Sequence, residues 1–122
     1  MGHRPIFSPS SHGTKSEVAQ MQELLTDIIC PYADLYIAGH DHIQAFITAK
    51  CPRKTEVPLL ITGAASKAYP NSSMFADEKG IWKLSYTTEN QLGFSIVELD
   101  EKNMSLQLIS EREEKVIEVK KK

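Results

Sequence analysis

Residues 34–48 read Asp34-Leu35-Tyr36-Ile37-Ala38-Gly39-His40-Asp41-His42-Ile43-Gln44-Ala45-Phe46-Ile47-Thr48, and this stretch decides how the chain folds on paper. The run from Asp34 to Ala38 has the length and character of a short buried strand, stopped by Gly39. Residues 43–48 alternate as a second strand does. Two histidines two positions apart therefore occupy the turn after a buried strand, where open sheets carry ligands and reacting groups. Glycine lets the backbone turn sharply, so both imidazoles can face one site or two adjacent ions. A polar turn that happens to hold two histidines fits the same residues.

Working outward, Thr14 and Glu17 form a capping-box pair. Val18, Met21, Leu24, Leu25, Ile28 and Ile29 follow at helical spacing, and Pro31 is expected to end that helix. Residues 1–13 read as loop, rich in serine and proline. On the other side, residues 50–56 are a polar turn and 57–62 a third strand ending at Gly63. The stretch 64–80 is small, polar and irregular, as a long surface loop would be. Strands are expected again at 81–86 and 94–99. A turn at 100–103 then leads to a hairpin partner at 104–109. The last alternating segment, 115–119, suits an edge strand whose neighbouring Glu and Lys discourage edge-to-edge association. The order predicts one domain of mixed α/β (α+β) class: helix, strands, then a C-terminal antiparallel meander.

Composition excludes more than it assigns. A net charge of −2 and a pI near 6.1 give no electrostatic reason to expect nucleic acid or an anionic membrane as partner. No apolar run approaches the roughly 20 residues that span a bilayer. Met1-Gly2-His3-Arg4-Pro5 leads into no apolar stretch of the kind a secretory signal needs. Cys30 and Cys51 are too few for a disulfide framework or a zinc knuckle. One bond between them and two thiols both fit, and thiols are the expectation.

The four histidines, at 3, 12, 40 and 42, all fall in the first third of the chain. Gly2-His3-Arg4-Pro5, then His12-Gly13, a helix, and a strand ending Gly39-His40-Asp41-His42 with Gln44 resemble the purple acid phosphatases, which are calcineurin-like metallophosphoesterases. Thr62-Gly63-Ala64-Ala65-Ser66-Lys67 is similar to that family's Gly-Ala-Gly loop, with Ala65 in place of the second glycine. Leu92-Gly93-Phe94, opening the closing antiparallel strands, continues the likeness.

The resemblance implies a partial metallophosphoesterase β-sandwich flanked by a helix, and hydrolysis of phosphate monoesters at two metal ions, iron with zinc, manganese or iron. It implies that His3 and His40 bind the divalent ion and His42 the other ion. It implies that His12 meets the substrate phosphate and protonates the leaving group. Imidazole suits both roles, as a neutral nitrogen for a borderline metal and as a cation near pH 6 for proton donation. Asp41 reads as orienting a neighbour, Tyr36 as core, and Tyr69 and Asn71 as loop residues to which no role is assigned; Lys120 to Lys122 read as a solvated tail.

The family's first-strand aspartate, its bridging aspartate with a nearby tyrosine, and its Gly-Asn-His segment have no counterpart string in these 122 residues. The expectation is therefore the C-terminal half of such a domain, inactive by itself and holding at most one ion. A complementary N-terminal half, from another chain or from upstream sequence, is the partner this implies. A non-catalytic metal- or phosphate-binding remnant and a partner-associating fragment are the alternatives.

Overall fold

This computed structural model describes residues 1–9, 23–70 and 80–121, and among them are two β-sheets, a short helical segment and a 3-10 turn at Pro52–Lys54. The first sheet contains β1 (Tyr36–Ala38), β2 (Gln44–Lys50), β3 (Glu56–Thr62) and β4 (Trp82–Thr87), in the order β1-β3-β2-β4. β5 (Gly93–Leu99), β6 (Asn103–Ser110) and β7 (Glu114–Lys120) form the second, an antiparallel meander in chain order. The fold is mixed α/β, with strands predominating.

Alternation along the strands determines which side chains meet. On β2, Ala45, Ile47 and Ala49 join Val57, Leu59 and Ile61 of β3 in a core closed by Ile6, Phe7, Leu25, Ile29 and Trp82. Phe7 stacks on Trp82 with ring centroids 5.7 Å apart. The opposite face of the same strands turns Phe46 and Leu60 toward Leu106 and Leu108 of β6, packing the two sheets together. β2 and β3 are therefore covered on both faces, which explains their nearly unbroken apolar sequences. Pro58 lies in β3 one residue beyond the β1 pairing, so its missing N–H leaves that parallel ladder intact. Between β2 and β4 the register slips by one residue after Phe46, where Ser85 is the extra residue of a bulge.

Helical backbone runs over residues 23–32 and includes a π-helical turn, Leu25–Ile29, followed by the α-helical turn Cys30–Tyr32. It ends at Tyr32, one residue past Pro31, with Ala33 N–H on the Ile29 carbonyl at 2.9 Å and Ala33 itself extended. The wide turn, closed by Cys30 N–H on the Leu25 carbonyl, opens the ladder where the proline ring would otherwise press on the Asp27 carbonyl. The expected helix start at Thr14 and Glu17 lies outside the described residues, as does the 71–79 part of the long loop. No helix among the described residues is long and apolar enough to cross a membrane.

Cys30 and Cys51 are disulfide-bonded, which corrects the expectation of two thiols. Cys30 sits at the end of the helical segment and Cys51 just after β2, and the fold brings their Cα atoms to 5.8 Å, within bonding reach. The bond closes a loop of sequence separation 21 that contains β1, the histidine turn and β2.

The half-buried Tyr86 packs beneath the inter-sheet cluster with its hydroxyl sealed from solvent. Burial, followed by the neighbouring Glu113 carboxylate, pushes its phenol from 10.0 up to about 12. Folding thus favours the neutral phenol. Its contribution is complete below pH 10.0 and is lost as the pH climbs toward about 12. Alkaline unfolding should accordingly be steeper for wild type than for Tyr86→Phe across that window, and superimposable profiles would refute the assignment.

Candidate functional site: a histidine rim

Three chain segments run side by side in the same direction and deliver their loops to one rim. β1 and β3 are parallel, and Gly2 pairs in parallel with Ala38 beside β1. The N-terminal residues are thus laid along the sheet edge, with Gly2 N–H on the Ile37 carbonyl at 2.9 Å and Gly39 N–H on the His3 carbonyl at 3.1 Å. Past their ends come His3, the turn 39–43, and the loop beginning at Gly63.

The turn at 39–43 is tight. Asp41 N–H bonds the Gly39 carbonyl at 2.8 Å, and Ile43 N–H bonds the Asp41 carbonyl at 2.9 Å. His40, at the centre of the first of these, has a φ of 64°, a left-handed conformation that costs a non-glycine residue energy. Gly63 N–H bonds the Ile43 carbonyl at 3.0 Å, and a side chain at Gly63 would strike the Asp41 carbonyl. The third strand's exit therefore fixes the turn from beneath. Asp41 is completely buried.

His3 and His40 come together from positions 37 residues apart: His40 Nδ1 lies 3.1 Å from His3 Nε2, with the rings edge to face. That separation is an N–H···N hydrogen bond when one ring donates. It also suits two ligands of one ion, since nitrogens bound at about 2.0–2.1 Å in tetrahedral geometry stand roughly 3.3 Å apart. His42 behaves differently. Its ring stacks on Tyr69, centroids 4.7 Å apart and 8° from parallel, and Tyr69 N–H bonds the His42 carbonyl at 2.9 Å. His42 Nδ1 is shielded from water and has no hydrogen-bond partner among the described residues, which is a cost to the fold.

A metal has to be judged against this donor set. The spacing of the His3 and His40 nitrogens is compatible with one borderline divalent ion, and the His42 nitrogen is a buried atom without a partner among the described residues. No group of three or more His, Cys, Asp or Glu side chains among the described residues is arranged to hold an ion. A carboxylate-bridged pair of ions therefore does not fit the described residues by themselves. His12 and Asn71 lie outside the described residues.

Two further residues support the turn. Gln44, completely buried at the start of β2, reaches across to the second sheet: its Nε2 donates to the Ile109 carbonyl at 2.7 Å, and its Oε1 accepts from Ser95 Oγ at 3.3 Å. Its backbone N–H donates to Thr88 Oγ1 at 3.1 Å. Gly93 faces the Gln44 amide so closely that a side chain there would collide with it. Tyr36, read from sequence as core, also donates from its hydroxyl to the Arg4 carbonyl at 2.9 Å. A glycine at position 2 and a polar residue inside a packed sheet were the available signals; their partners become visible only in the fold. No family model matches the chain, and no curated protein matches it.

Proposed function

We propose that this chain is the histidine-bearing half of a two-metal phosphomonoesterase site of the purple acid phosphatase kind. In this reading His3 and His40 take one divalent ion, His42 contributes to a second, and His12 meets the substrate phosphate. Two ions at such a site supply hydroxide and stabilise in-line displacement at phosphorus. The carboxylates that would bridge them come from a complementary half, and the chain alone is inactive.

The observation that supports this most is the 3.1 Å approach of His40 Nδ1 to His3 Nε2, at a rim shared by three parallel segments. A second reading, a non-catalytic single-ion site, draws support from the lack of any three-donor group among the described residues. Exposed Phe94 and Ile96 on one face of β5, with exposed Val116 of β7 across Gln107 of the intervening β6, favour association with a partner in either case.

Zinc titration by calorimetry tests both readings. About one ion per chain is expected at micromolar affinity, weakened about tenfold or more by His40→Ala. The purified chain with iron, zinc or manganese should not hydrolyse p-nitrophenyl phosphate. Turnover that disappears in His42→Ala would overturn the predicted inactivity of the lone chain, and the absence of any bound zinc would overturn the metal site.

A further inference from the structure

Building on the metal-site reading, we infer that Tyr36 is a positioning residue that presents the His3 imidazole to His40. Tyr36 opens β1 and is almost wholly buried, yet its polar end lies against the N-terminal segment. Its hydroxyl donates to the carbonyl of Arg4, the residue after His3. The same hydroxyl and ring carbon crowd Gly2, the residue before His3, so that no side chain fits at position 2. Tyr36 thus holds both neighbours of His3. The backbone bonds Gly2 N–H to Ile37 and Gly39 N–H to His3 set the depth of the segment along the sheet edge. The phenol sets its direction past that edge, where no further pairing with β1 is available.

Burial raises the Tyr36 pKa above 10.0, which keeps the hydroxyl a neutral donor at every pH where an imidazole titrates. A tyrosine serving only as core would keep its function when the oxygen is removed and the ring retained. Tyr36→Phe separates the two roles for that reason.

The test is proton NMR of the metal-free full chain, with zinc titration alongside. In wild type a ring-to-ring Overhauser contact between His3 and His40 is expected. In Tyr36→Phe the β1–β3 amide contacts should persist while the ring contact is lost, and zinc affinity should fall about tenfold. Gly2→Ala, which crowds the same hydroxyl from the other side without entering the core, should produce the same loss and decides the matter if Tyr36→Phe fails to fold. A ring contact that survives in the folded variant overturns the inference. If wild type binds no zinc, the metal reading fails, and the ring contact still decides the role of Tyr36.

Discussion

Replacing Cys30 and Cys51 together by alanine is expected to lower stability by about 3 kcal/mol, the loop-closure value for a separation of 21 residues. The bond ties the end of the helical segment to the end of β2, and both cysteines border the core formed with Ile29, Ala49 and Val57. Without it the unfolded chain gains freedom across the whole loop carrying the histidine turn. Urea unfolding of wild type under reducing conditions should reproduce the loss seen in the double variant, because both remove the same cross-link. Thiol titration of the unreduced, denatured chain is the decisive control: two free thiols would mean that the bond does not form.

Gln44→Leu should cost about 2–3 kcal/mol, although leucine matches the glutamine in bulk and is apolar. The loss arises at the groups left behind. The Ile109 carbonyl loses a 2.7 Å donor, and Ser95 Oγ loses its acceptor inside the gap between the sheets. Since Gln44 lies two residues past His42, the same change should loosen the exit of the histidine turn. Chemical denaturation measures the first effect, and amide exchange at Gly63 reports the second through its bond to the Ile43 carbonyl. A stability change below about 0.5 kcal/mol would mean that the amide does not hold the sheets together.

Strand positions were legible in the sequence because the strands either alternate or form short apolar runs, and are punctuated by glycine, proline or aspartate. Every expected strand from β2 to β7 is present within about two residues of its predicted ends. β1 is shorter than expected, Tyr36–Ala38, because pairing begins only where β3 runs alongside it. Sheet order was not legible. Parallel pairing of β1 with β3 leaves the same alternation as antiparallel pairing, so only the tertiary contacts distinguish them. The disulfide was missed for a related reason: its two cysteines belong to elements that the sequence does not bring together. Pro31 marked the helix end to within one residue, whereas the widened turn just before it had no sequence signal.

The site was legible in part. The Gly39-His40-Asp41-His42 turn followed from strand, glycine and spacing, whereas grouping His3 with His40 came from family resemblance alone. The stacking of His42 on Tyr69 could not be read, since Tyr69 lies in an irregular loop whose path is set by a backbone bond to His42. Tyr36 carried two meanings, apolar ring and polar tip, and strand patterning reports only the first.

The seating of Gly2 against β1 bears on how the protein should be purified. A polyhistidine affinity handle joined at Met1 would enter beside the rim and offer foreign imidazoles to any zinc added later. Attached past Lys122, the handle would follow β7, which belongs to the other sheet, and titrations would then report the protein's own nitrogens.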